Sequence, residues 1–309
     1  MRAKLATNRL DLPVELEREI FELAASTDVG TALRLATVAR RVQAWVEPII
    51  YSRVVVAHAP EVDRLTQQSR AILAGRIARV NASKKTPKEA QIPRFIRTIP
   101  LRPASFFSRH VKCLHVGNLT EPELVAALSA CTGISELGWW AATVDPAVAA
   151  ALHSLRLVRL SVDHSFDFAR LTTSRFFSTL THLDLVFHNS SLATLPTLPR
   201  LERFTALTHF SIAHNFILPP LAWCDDVFGA CPRLKILLRF SDTLFYEELS
   251  GLRPRHANLR VVVMIQPVGS WTTRWVHDAW PLAEDVVRER HAHAAAERAK
   301  NDISGVDGG

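Results

Sequence analysis

The sequence contains no run of 18 uncharged apolar residues in its 309 positions, and about that length is needed for a helix to cross a bilayer. A membrane-spanning helix is therefore not expected. Met1 to Leu12 also lacks the continuous apolar centre of a secretory signal. Both absences place the expected location in the cytosol or the nucleus. Cysteine is scarce: Cys113, Cys131, Cys224 and Cys231 are the four, and none forms a C-x-x-C pair. The spacing argues against a zinc ribbon, and a reducing compartment argues against disulfides. Small buried core residues are the expected role. Catalytic signatures are missing as well. There is no glycine-rich phosphate loop, no H-E-x-x-H and no G-x-S-x-G elbow. The expectation is a protein that is not an enzyme and uses no cofactor and no metal.

Acid is nearly absent from one stretch. Between Arg76 and Arg102 there are eight basic residues and one acid, Glu89, so that segment carries the same +7 as the whole chain. The rest balances, and the basic character is one local patch. Within it, residues 81–103 are rich in proline and read as an inserted loop. A loop of that length is functional or disordered. Its charge would attract phosphates. Phe95 is its only aromatic residue, however, so it offers no row of platforms on which bases stack. Nucleic acid is not an expected partner; a solvated loop or a contact to an acidic protein is.

What is present is ordered. Apolar residues make up 48% and charged residues 22%, the balance of a folded globular chain rather than a disordered one. The apolar residues recur as apolar-x-x-apolar-x-apolar. The triplets are Val111/Leu114/Val116, Ile134/Leu137/Trp139, Leu157/Leu160/Val162, Leu180/Leu183/Leu185 and Leu207/Phe210/Ile212. Weaker copies follow at Leu234/Leu237/Arg239 and Leu259/Val262/Met264, and Tyr51/Val54/Val56 fits ahead of them. From Leu114 onward the central positions step by 23, 23, 23, 27, 27 and 25 residues. A repeat of that period is the mark of a stacked architecture.

The physical reading is direct. Alternate residues of a short strand face one way, so Leu183 and Leu185 share a core and the residues between them face the opposite side. One unit cannot bury its apolar face alone, so neighbours stack and share it. Helices are expected between strands at Glu121 to Cys131, Pro146 to Ser154 and Leu221 to Ala230. Acid and proline open the first two, as suits a helix N-terminus. The seventh unit, from Val261 to Ile265, is apolar on both faces, which predicts a covered strand near the end of the stack.

These features resemble leucine-rich repeats with a helix in each unit. The match departs at Arg239, and of the Asn or Cys common after the third apolar position only Asn215 is present. The expected fold class is α/β: a short N-terminal helical segment, then a solenoid of parallel strands and helices. An irregular α/β domain with coincidental spacing is the rival reading. The expected divisions are 1–50, 51–280 and 281–309, the last a helix fading into a tail.

Residues 10–51 form a separate helical group. Leu16, Ile20 and Leu23 recur at helical spacing, and a second series runs Leu35, Val38, Val42, Trp45 and Val46. Pro13 suits a first turn, and Pro48 is expected to close the second series. Leu12-Pro13, Glu15-Leu16, Ile20-Phe21, Val38 and Trp45 resemble an F-box, the motif that docks substrate receptors on a Skp-type adaptor. Ala39-Arg40-Arg41 departs from the common pattern, in the manner of F-box-like proteins numerous in mushroom-forming fungi. The resemblance implies adaptor binding through Leu12, Pro13, Leu16, Ile20 and Val38. A helical cap sealing the end of the stack is the alternative.

The strand residues that face away from the core give the second expected surface. They include His115, Glu136, Trp140, Arg159, Asp163, His182, Asp184 and His209. Extended surfaces of this kind are what solenoids use for binding, and Trp140 has the chemistry of an aromatic anchor. His182 and His209 hold one register in THLDL and THFSI, with Asp184 beside them. Two histidines and one carboxylate without a third fixed ligand fall short of a metal site. Trp271, Trp275 and Trp280 are expected to cover the last strand. Taken together, the resemblance implies a substrate receptor of a cullin-type ubiquitin ligase. It would hold a Skp-type adaptor at one end and a target protein on the strands. A free-standing interaction scaffold is the other reading.

Overall fold

The computed structural model describes residues 12–57, 94–117, 119–139, 144–163, 166–171, 174–187, 200–214, 221–242, 258–266 and 274–304. The chain is α/β. Eight parallel strands form one open sheet in chain order: β1 Arg53–Ala57, β2 Cys113–Gly117, β3 Glu136–Trp139, β4 Arg159–Asp163, β5 His182–Phe187, β6 His209–His214, β7 Ile236–Asp242 and β8 Val261–Gln266. Three helices precede the sheet, α1 Val14–Thr27, α2 Val29–Leu35 and α3 Arg40–Ser52. Between strands lie α4 Arg94–Thr98, α5 Ala104–His110, α6 Glu121–Ala130, α7 Pro146–His153, α8 Phe176–Thr179 and α9 Leu221–Ala230. A long helix, α10 Arg274–Ser304, follows the sheet. Among the described residues no helix is long and apolar enough to cross a membrane.

β3 to β7 enter the sheet through the same main-chain clasp. The N–H groups of Ser135 and Glu136 both donate to Lys112 O, those of Val158 and Arg159 to Ser135 O, and those of Thr181 and His182 to Val158 O. Thr208 and His209 donate likewise to Thr181 O, and Lys235 and Ile236 to Thr208 O. The clasp holds each strand start level with the one before. Leu114, Leu137, Leu160, Leu183, Phe210 and Leu237 therefore lie side by side across the sheet. All six are buried, in one core shared with Phe107, Leu128, Leu152 and Phe176 of the flanking helices. Val54 and Val56 extend this row into β1, opposite Leu114 and Val116.

Local chemistry accounts for the helices. Thr120 and Glu123 close a reciprocal capping box on α6, at 2.9 Å. Pro146 occupies the first turn of α7, where a missing N–H costs nothing. Cys131 and Cys231 sit at equivalent bends: each donates its N–H one turn back, and each accepts from the residue three ahead, Ile134 or Leu234. Burial pushes their thiols up to about 12 and about 11, so both stay protonated. Gly133 is required at its bend, because a Cβ there would lie 1.8 Å from Ser108 O.

Four features differ from the sequence expectation. Val261, not Val262, pairs with Leu237, so the seventh unit is centred one residue earlier. With three valines in a row, alternation does not mark a face. Pro48 lies inside α3, which runs on to Ser52. Val38 lies in the turn between α2 and α3, not on a helix. Residues 94–101, placed in the expected loop, are helical turns. Phe95, Ile96 and Ile99 pack on the core, and Arg102 pairs with Glu47 at 2.6 Å. The rest of the basic loop up to Pro93, Asn215 and Trp271 lie outside the described residues.

Candidate interaction surfaces

The first surface is the outside of the N-terminal helices. α1 to α3 enclose a small core of Ala25, Ala32, Val42 and Val46, with Phe21, Leu35 and Trp45 around it. Phe21 and Trp45 meet at 6.3 Å. That core uses one stripe of α1. A second apolar stripe on the same helix, Leu16, Ile20 and Leu23, faces outward. Leu12, Leu16 and Ile20 are 54%, 48% and 54% exposed, and Val38 is 63% exposed. Pro13 is also exposed and stands at the N-cap of α1. Val29 and Leu33, one turn apart on α2, are exposed too. All five residues of the sequence-derived adaptor set are therefore at the surface. Scattered apolar residues on a surface are ordinary; here the exposed ones gather on two adjoining helices. The inner end of the unit is tied to the sheet. Tyr51 of α3 packs edge-on against Phe106 and Phe107.

The second surface is the sheet face opposite the core. One row across it runs Cys113, Glu136, Arg159, His182 and His209, and the next runs His115, Gly138, Ser161, Asp184 and Ser211. Asp163 lies one row further along β4, beside Val186. Register thus brings together the site residues named from sequence, apart from Trp140, which lies outside the described residues. They are less exposed than a bare strand face implies: His115, Asp163, Asp184 and His209 are all buried.

Each has an identifiable setting. The His115 ring lies over Gly138, where a Cβ would come within 2.1 Å of Nδ1, and its Nε2 meets Cys113 Sγ at 2.9 Å. Burial, with Glu136 adding to it, pushes the Cys113 thiol up to about 12; this is not an activated nucleophile. Arg159 reaches Glu136 at 3.6 Å. Asp184 accepts from Ser161 Oγ at 2.6 Å and from Ser211 Oγ. Burial still outweighs both hydroxyls and raises its carboxyl to about 6. His182 and His209 stack at 4.2 Å and within 4° of parallel. Their Nδ1 atoms each lie 2.8 Å from the preceding threonine hydroxyl.

A lid covers one end of this face, as expected of Trp280 over the last strand, but it reaches further, back to His182 and His209 on β5 and β6. α10 crosses β7 and β8, and its Ala279, Trp280 and Ala283 are buried against Ile236, Leu238, Phe240 and Val262, with Val286 and Val287 half-buried beside them. Trp280 stands edge-on to both histidines, at 5.4 Å and 5.3 Å. Glu284 Oε1 meets His209 Nε2 at 3.1 Å, and Arg290 donates to Val261 O at 2.6 Å. The side chains of Trp271 and Trp275 lie outside the described residues. The signal for a lid was the two-faced apolar β7–β8 sequence together with the helical spacing of Trp280, Ala283 and Val287. Sequence reasoning missed Ser161 and Ser211, although they flank Asp184 in register. Among the described residues no group of three or more His, Cys, Asp or Glu is placed to hold a metal.

The chain matches no protein-family model and no curated protein.

Proposed function

We propose that this chain is the substrate-recognition subunit of a cullin-type ubiquitin ligase, with an F-box-like N-terminal unit and a leucine-rich-repeat-like stack. α1 and α2 dock on a Skp-type adaptor, and the stacked strands hold a target protein. Chemistry belongs to other subunits, and this chain supplies proximity and orientation. A fold alone does not fix a function, so the reading rests on site residues. The observation that carries it is the outward stripe of Leu12, Leu16 and Ile20, with Val38 exposed as well. A helical unit serving only as a cap would turn its apolar residues toward the stack. α1 instead fills one stripe with the unit's own core and leaves a second to solvent.

A free-standing scaffold is the second reading. The packing of Tyr51 on Phe106 and Phe107 and the Arg102–Glu47 pair favour it, because they make α3 an end-piece of the stack. Those contacts engage α3 alone and leave the α1 stripe unexplained. Co-expression with a Skp-type adaptor separates the two. Wild type is expected to co-purify with the adaptor, and a Leu12→Ala, Pro13→Ala, Ile20→Ala variant is expected to remain folded and lose it. Folded wild type that leaves the adaptor unbound would make the unit a cap and the chain a scaffold.

A further inference from the structure

We infer that the stacked His182–His209 pair beneath Trp280 is a proton-operated latch, in which proton uptake by His209 undocks α10 from β5–β8. The inference is independent of adaptor docking, since it concerns the opposite end of the chain.

Thr181 O already accepts the N–H groups of Thr208 and His209, at 3.0 Å and 2.9 Å. The Thr208 hydroxyl lies 3.2 Å from that carbonyl but 2.8 Å from His209 Nδ1. It is therefore better used donating to the ring. Nε2 then carries the ring proton and donates it to Glu284, 3.1 Å away. This neutral ring fastens α10. On protonation, Nδ1 donates to the Thr208 oxygen and the hydroxyl turns to the carbonyl. Every hydrogen bond of the site is kept in either state, so hydrogen bonding does not decide which state the closed lid prefers.

Burial and neighbouring charge decide. His209 lies under the lid, and burial pulls its pKa below the usual histidine value. Glu284 opposes this from α10, while Arg159 on β4 and Lys235 ahead of β7 reinforce it. His182 on β5 is stacked 4.2 Å away, so two charged rings would repel at close range. The closed lid therefore favours a neutral His209, and docking is strongest above the free histidine pKa. It weakens as the pH falls through that value. Asp184, in the adjoining row, has the opposite sign: its raised carboxyl, near 6, takes up a proton that suits burial.

Hydrogen–deuterium exchange on the full chain tests this at about pH 7.5 and about pH 5.5, after correction for intrinsic rates. Protection of α10 from Ala279 to Arg290 is expected to fall with pH while β2 to β4 hold theirs. One proton per opening limits the fall to about tenfold per pH unit. In His209→Gln, which keeps a donor for Glu284, the fall is expected to vanish. Glu284→Gln removes the group that favours the charged ring, lies at a half-exposed position that does not threaten folding, and is expected to deepen the fall. Protection that is independent of pH overturns the latch. So does loss of protection in step with the whole sheet, an undiminished response in a folded His209→Gln, or an unchanged response in Glu284→Gln.

Discussion

At the scale of single residues, the sheet face opposite the core is where polar chemistry is held out of water. Asp184 is the clearest case. Two serine hydroxyls reach its carboxylate, yet a hydroxyl offers one hydrogen bond and no charge, and burial raises the group from 3.8 to about 6. A raised carboxyl stabilises the folded chain fully below about pH 4 and loses that contribution as the pH rises through about 6. Two pKa units correspond to about 3 kcal/mol. Asn in this place imitates the protonated acid. The stability of Asp184→Asn relative to wild type is therefore expected to improve by about 3 kcal/mol between pH 4 and pH 7.5. Urea unfolding of both proteins at the two pH values reads the difference directly. A gap that does not change with pH would mean that Asp184 stays ionised in the folded chain.

At the scale of elements, what could be read from sequence depended on whether alternation was clean. β2 to β6 carry leucine or another large apolar residue at alternate positions with polar or small residues between. Their faces, and the neighbourhood of His182, His209 and Asp184, followed from spacing alone. In β8 three successive valines erase that contrast, and the register slipped by one. α3 was expected to end at Pro48, but burial of Val42 and Val46 on one side and the Tyr51 anchor on the other hold it through to Ser52. The lid was legible in part: the sequence places Trp280 over the last strand, but the period of α10 does not reveal how much of the sheet surface its apolar stripe covers. That surface is the apolar outer face of β7 and β8, with Trp280 as its largest anchor. Trp280→Ala is expected to cost about 3–5 kcal/mol and to expose Ile236, Leu238 and Phe240. Denaturation should report the loss, and binding of an apolar dye should rise in the variant alone. A variant as stable and as dye-silent as wild type would show that α10 rests on the sheet without holding it.

At the scale of the whole molecule, the chain divides into cores that differ in size and reach. The main core runs from Val54 in β1 to Val261 in β8 through every strand and its flanking helices, so each unit is stabilised by the units beside it. The core of α1 to α3 contains four small or medium residues and meets the stack through the end of α3. Such a division predicts separate responses to core truncation. Val46 is fully buried in the small core and Leu160 is buried in the centre of the large one. Val46→Ala is expected to cost about 1–3 kcal/mol and to speed amide exchange in α1 and α2, with β4 to β7 unchanged. Leu160→Ala is expected to cost about 2–5 kcal/mol and to lower protection through the neighbouring strands. Exchange measured segment by segment distinguishes these patterns, and a Val46→Ala effect spread evenly over the sheet would mean one cooperative body. The separation bears on function. A unit with its own small core can present Leu12, Leu16 and Ile20 to a partner without disturbing the strands, and burial of that outward stripe by the partner would then stabilise the unit itself.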